Sequence, residues 1–233
     1  MDLLPCFGIA AFAALTVISW VVCAGMIWLV VTVGRWNQGL VETPLEKFAH
    51  ENELHFSPGS PLWPYLGLPF VGMPSISGNY RGRKLEMGYQ WSTKEIPSWK
   101  SFAKAFYCRM SVRSDIAMEI SYHGLIKRKA APEIKLGVPE FDRIYVVRAK
   151  DEKRARRILS PPIRRKIEPL MSLSPLPTLR LGNGEISYDT MPTSQIVPAS
   201  HELKMRLFLE FEPEELQLIA ETLDAVAKEI EKK

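Results

Sequence analysis

Between Arg148 and Lys166 the chain places nine positive side chains: Arg148, Lys150, Lys153, Arg154, Arg156, Arg157, Arg164, Arg165 and Lys166. Only Asp151 and Glu152 oppose them within that stretch. Guanidinium and ammonium groups recognise carboxylate and phosphate oxygens; alone they break no bond. If Ile158, Leu159, Ile163 and Ile167 face a core, the charges between them must face water on one side. Lys153, Arg154, Arg156, Arg157, Arg164, Arg165 and Lys166 are therefore the candidate contacts for an anionic surface. Lys127-Arg128-Lys129 adds a second cluster upstream. The plain alternative is a solvated helix surface. Among anionic partners, nucleic acid is disfavoured: no binding fold and no aromatic stacking pattern accompany the charge. Anionic lipid headgroups or a protein partner fit better.

The other chemistry-bearing residues do not assemble into a reacting set. His50, His55, His123 and His201 lack the spacing of a zinc helix motif, and no Cys pair supports a metal. Gly78-Asn79-Tyr80-Arg81-Gly82 lacks the spacing and the Lys-Ser/Thr of a phosphate loop. No Gly-x-Ser-x-Gly nucleophile elbow occurs. Glu140 and Asp142 are close in sequence, but without a second convergent group they read as turn caps or ion-pair partners. No catalytic, cofactor or metal residue is assigned. The expectation is a non-enzymatic binding or scaffold domain. An enzyme with an unrecognised site and an accessory subunit of a membrane complex are the alternatives.

The elements that would position these charges fall into two unlike parts. Residues 3–34 contain no charged side chain, while the remainder carries nearly every charge of a chain with 30 Lys and Arg, 26 Asp and Glu and a net charge of +4. A bilayer core of roughly 30 Å takes about 20 apolar residues as a helix. Residues 7–34 exceed that, and a helix pairs its own backbone groups within one segment. A cleaved signal peptide would need a basic start and a shorter apolar run; the chain opens Met1-Asp2. The expectation is an uncleaved single-pass anchor in the cell membrane, with residues 1–6 as a tail. Ala10 and Ala14, or Ser19 and Cys23, are small residues one turn apart at which two spans could approach closely. Lys and Arg follow the span and none precedes it, which places the domain in the cytoplasm. Cys108 alone lies outside the apolar segment, consistent with a reducing compartment.

Residues 35–43 read as a linker and 44–233 as one soluble domain. Thr43-Pro44-Leu45-Glu46 resembles a capping box opening a helix to about residue 53, with Leu45, Phe48 and Ala49 on one face. Residues 57–74 hold five prolines with interleaved aromatics and predict an irregular loop, either folded over the sheet, presented to a partner, or with its aromatics dipping into the headgroup layer. Alternation predicts strands at 84–90, 106–112 and 116–122, with a turn or bulge at 79–83. A buried strand is expected at 143–148, a helix capped by Asp151 to about Leu159, and another from Ser160 that Pro169 kinks or ends. A hairpin surrounds Gly182-Asn183-Gly184, and a half-buried strand is expected at 203–211. Leu216, Ile219, Leu223, Val226 and Ile230 form an amphipathic stripe after Pro213, for the domain's own sheet or for a partner chain. The fold class is α+β: one transmembrane helix, then a mainly antiparallel sheet with flanking helices.

Three blocks carry a resemblance: Gly78-Asn79-Tyr80-Arg81-Gly82-Arg83, Phe141-Asp142-Arg143-Ile144-Tyr145-Val146-Val147 and Ala155-Arg156-Arg157-Ile158-Leu159-Ser160-Pro161. In this order they resemble an uncharacterised family of prokaryotic proteins in which a membrane anchor precedes a domain of unknown function. The resemblance implies a tethered domain and brings no catalytic residues. Asp142 is expected to cap, or to pair with Arg81 or Arg143, in a structural role.

Overall fold

A computed structural model describes residues 4–59, 72–96, 99–123, 131–174, 177–190 and 211–232. Side chains are described within these except at 4–15, 30, 33–41, 91–96 and 99–104. Helix α1 runs from Leu4 to Glu51, 48 residues and about 72 Å at the usual rise. Residues 35–43, expected as a linker, are helical, and Pro44 lies inside the helix instead of opening a new one. The last turns of α1 do what the sequence predicts: Leu45, Phe48 and Ala49 are each 1% exposed. Among the described residues no helix is long and apolar enough to cross a membrane. Within 7–34 the described side chains are those of 16–29, 31 and 32, fewer than the about 20 a span takes.

Among the described residues the domain is built on a nine-stranded sheet in the order β1-β2-β3-β4-β9-β8-β5-β7-β6. Its strands are β1 (His55–Ser57), β2 (Ser75–Tyr80), β3 (Arg83–Ile96), β4 (Trp99–Ser111), β5 (Met118–Tyr122), β6 (Glu133–Ile134), β7 (Tyr145–Ala149), β8 (Pro177–Gly182) and β9 (Glu185–Thr190). Every pairing is antiparallel. Among the described residues the helices are α1, α2 (Pro139–Ile144), α3 (Glu152–Ile158), α4 (Pro161–Ser172) and α5 (Pro213–Glu231). An α+β class with a large antiparallel sheet and flanking helices is what the structure shows.

Two tight turns fix the hairpins. Arg81 (φ 51°) and Gly82 (φ 86°) join β2 to β3, and Asn183 (φ 54°) and Gly184 (φ 74°) join β8 to β9. Both central residues left-handed is the twist that suits a two-residue hairpin. Arg81 has a Cβ and bears that strain; Glu221 holds its guanidinium at 2.8 Å, and the guanidinium carbon lies 5.1 Å from the Tyr80 ring centre.

One face of the sheet makes the core. Leu85, Met87, Phe106, Cys108, Met110, Ile120, Leu179, Ile186 and Tyr188 are fully buried there. The helices cover that face: α5 packs between α1 on one side and α3 and α4 on the other. All five stripe residues of α5 are buried, so the stripe belongs to the domain's own core and is not open to another chain. Phe106 lies 4.5 Å from Phe211, 5.4 Å from Tyr89 and 6.4 Å from Tyr188, centroid to centroid. Burial pushes the Tyr188 hydroxyl well above its usual range, and it donates to the Leu170 carbonyl of α4 at 3.2 Å.

Several local expectations change. The strand expected from Arg143 begins at Tyr145, because Pro139 opens α2 first. Asp142 meets neither Arg81 nor Arg143; its carboxylate accepts the backbone N–H groups of Leu136, Gly137 and Val138 at 2.8–3.1 Å. Pro169 does not end α4, which runs to Ser172. So near the C-terminus a proline removes one helical hydrogen bond from a turn that is already exposed to water. Residues 203–210 of the expected strand, most of the proline-rich loop and the Lys127-Arg128-Lys129 cluster lie outside the described residues, and Phe211 is buried but not in a strand.

Candidate functional site

The structure divides the basic run between two sides of the sheet. α3 and α4 take seven of its residues to the helical side. Asp151 caps α3 by accepting the Arg154 N–H at 3.0 Å. Ala155, Ile158, Ile163 and Ile167 turn inward, so the intervening charges turn out.

Those seven charges do unequal work. Arg154 is tied to Asp115 at 2.6 Å, and it holds the Asp115 carboxyl below the usual carboxylate range. Arg156 pairs with Glu152 at 2.7 Å and donates to the carbonyls of Leu136 and Lys135. Arg164 donates to the Leu159 carbonyl at 3.1 Å. These three fasten the loops around α3. Lys153, Arg157, Arg165 and Lys166 are exposed and form no ion pair among the described residues. The candidate anionic-surface contact thus narrows to four cations on adjacent short helices.

Arg148 and Lys150 belong elsewhere. β7 precedes α3, and its register turns Arg148 to the face of the sheet opposite the helices. On that face one row crosses seven strands: Glu86, Arg109, Ser187, Arg180, Glu119, Arg148 and Glu133 are successive register partners from β3 to β6. Carboxylate and guanidinium largely alternate along it, which suits directly opposed side chains. Arg180 Nε donates to Glu119 Oε2 at 3.0 Å, and Arg180 Nη1 lies 3.5 Å from Asp189. Arg148 Nη1 stands 3.8 Å from the other Glu119 oxygen, too far to donate to it.

A cavity of about 350 Å³ opens over this part of the row. Glu119, Arg148, Lys150 and Arg180 are its charged walls, with Ala117 and Ala131 beside them. Arg148 Nη1 is buried and has no hydrogen-bond partner among the described residues. Two residues along the same face of β5, Ser121 Oγ is also buried without a hydrogen-bond partner among the described residues. Sequence reasoning counts Arg148 and Lys150 in the helical run and does not single out Glu119 or Arg180. Strand alternation could turn each of these outward, but no local pattern joins positions 119, 148 and 180.

Elsewhere the titratable groups serve the fold. Glu231 accepts both Arg83 terminal nitrogens at 2.7 Å and the Arg113 N–H at 2.9 Å, which brings its carboxyl down to about 2. Asp224, 1% exposed, meets Lys228 at 2.7 Å and Arg83 at 3.3 Å. Cys108 is buried on β4, and burial pushes its thiol well up, which makes it a core residue and a poor nucleophile. Among the described residues no three His, Cys, Asp or Glu side chains converge on a metal-sized site. His123 Nε2 lies 3.0 Å from the Asp142 carbonyl. No family model, curated protein or solved structure matches the chain.

Proposed function

We propose that the chain is a single-pass membrane protein in which residues 7–34 of α1 span the bilayer and the sheet domain acts by binding on the cytoplasmic side. The observation that carries this reading is the surface of α1. Its side chains from 16 to 29 are exposed without interruption. Val17, Ile18, Trp20, Val21, Val22, Met26, Ile27, Trp28 and Leu29 are each 55–77% exposed. At 100° per residue these positions surround the helix, so no rotation hides them against the domain. An apolar helix exposed all round has lipid as its natural solvent. The uncharged sequence on both sides extends the run to the length a bilayer needs.

The binding face is the exposed set Lys153, Arg157, Arg165 and Lys166, with the anionic headgroups of the inner leaflet as its partner. Each Lys or Arg close to such a surface contributes about 1 kcal/mol. The tether keeps the local lipid concentration high, so weak contacts suffice. A reporter fused after Lys233, combined with carbonate extraction of membranes, tests the anchor and its orientation. The expected result is a carbonate-resistant chain with a cytoplasmic reporter. A chain released by carbonate removes the span; an external reporter reverses the orientation and moves the cations away from the inner leaflet.

A further inference from the structure

We propose that bilayer thickness governs the contact between the basic face and anionic headgroups, through a lean of α1 that the domain must follow. The proposal rests on the reading of residues 7–34 as the span and of Lys153, Arg157, Arg165 and Lys166 as the lipid-binding set.

The first link is length. Residues 7–34 carry no charged side chain and belong to one helix. At the usual rise that segment is ~42 Å long, against a hydrocarbon core of ~30 Å. A lean of the helix, a kink in it or a thickening of the bilayer must take up the excess. A kink has no proline to cause it, because Pro44, the proline inside α1, lies beyond the span. Lean alone would need about 45°, so α1 is expected to lean at or above the ~20° usual for spans. The excess shrinks as the bilayer thickens, and the lean shrinks with it.

The second link is stiffness. The helix continues without interruption from Gly34 to Glu51. Leu45, Phe48 and Ala49 are held in the domain core, and the Phe48 ring stacks on Tyr80 of β2 at 6.3 Å. The Leu54 N–H closes the helix end on the Ala49 carbonyl at 2.8 Å. Whatever angle the span takes, the domain takes too.

The third link is offset. α5 packs between α1 and the pair formed by α3 and α4. Packed helices lie about 8–10 Å apart, so the cation-bearing helices stand about 16–20 Å to the side of the α1 axis. A lean of about 20° toward that side lowers them by ~6 Å, and one of about 40° by ~12 Å. Charges act over about 10 Å at 0.1 M salt. Lean therefore carries the four cations into or out of range of the leaflet, and attraction to anionic lipid selects its direction.

The full chain in nanodiscs of one anionic headgroup content, built from lipids of short or long acyl chains, tests this. Energy transfer from a fluorophore on α4 to a headgroup dye reads the contact. Contact should be about two- to threefold stronger in the thin discs, the change in screened attraction over ~6–12 Å. Deleting residues 8–14 cuts the apolar run to ~32 Å and removes the excess. That variant should lose most of the difference between discs. Asn37→Gly, Gln38→Gly, Leu40→Gly and Val41→Gly together break the stiff link, and contact should then be equal in both discs. Wild-type contact that needs anionic lipid yet is equal in thin and thick discs overturns this proposal and leaves the membrane reading standing. A thickness effect that survives both variants unchanged also overturns it. Contact indifferent to anionic lipid, or a chain released by carbonate, overturns both.

Discussion

Glu231 shows how much of the domain's cohesion rests on single charged side chains at the end of α5. It takes a two-pronged contact from Arg83 and one backbone N–H from Arg113, and so clamps α5 to β3 and to the segment after β4. Its carboxyl titrates near 2 in the folded chain, against an ordinary value of 4.5. The depressed value means that the unfolded chain binds the proton more readily. This contribution to stability is therefore complete above about pH 4.5 and is lost as the pH falls toward 2. Glu231→Gln should lower stability by about 1–2 kcal/mol at neutral pH, where part of the charged contact is screened by solvent. The variant and the wild type should converge as the pH falls through that window. Thermal denaturation across the acid range measures both. A constant difference between them would mean that the carboxylate charge is not what holds the contact.

At the scale of elements, α5 is the central strut, and it is also the element most legible in the sequence. Its 3-4-3-4 spacing alone marks Leu216, Ile219, Leu223, Val226 and Ile230 as one face, and each is buried. Leu223→Ala, at a fully buried site between the sheet and the flanking helices, should cost about 2–5 kcal/mol, read as a lower denaturation midpoint in urea. A cost under about 0.5 kcal/mol, the scale of a surface substitution, would place the stripe outside the core. Strands with alternation are legible for the same reason: β3 contains its expected segment, β4 ends one residue short of the expected 112, β5 takes up only 118–122 of the more weakly alternating 116–122, and the β8–β9 hairpin follows from Gly182-Asn183-Gly184. Ser75–Tyr80 is not legible as a strand. Ser, Gly and Asn give it little strand propensity, and only pairing with β3 from Ser75↔Gly88 to Tyr80↔Arg83 makes it one. The continuity of α1 is hidden because Thr43-Pro44 has the composition of a helix start, yet proline at that point removes only one donor from a ladder already formed. The cavity is hidden for a deeper reason. Glu119, Arg148 and Arg180 sit on β5, β7 and β8, and strand order is a property of the whole sheet.

For the whole molecule, the question is whether the basic helices can reach the membrane that α1 is proposed to cross. From Gly34 to Leu45 a continuous helix rises only ~16 Å. A domain of this size has a radius of gyration of about 16 Å. If residues 7–34 span, the first core residue lies ~16 Å from the interface, about one radius of gyration, and the near surface of the domain falls within reach of the headgroups. At 0.1 M salt charges act over about 10 Å, so the contact should form at low salt and fade as salt rises. The full chain in nanodiscs, with a fluorophore on α4 and a quencher on the lipid headgroups, reads this proximity directly. Quenching should be strong with anionic lipid, weak with neutral lipid and reversed by salt. Replacing Arg157, Arg165 and Lys166 by Glu should abolish it, since about 1 kcal/mol per cation then becomes repulsion of similar size. These substitutions lie outside the proposed span, so the readout separates the face from the anchor. Equal quenching in neutral and anionic discs would leave these cations to a protein partner or to water, while a loss confined to anionic discs would assign them to the lipid.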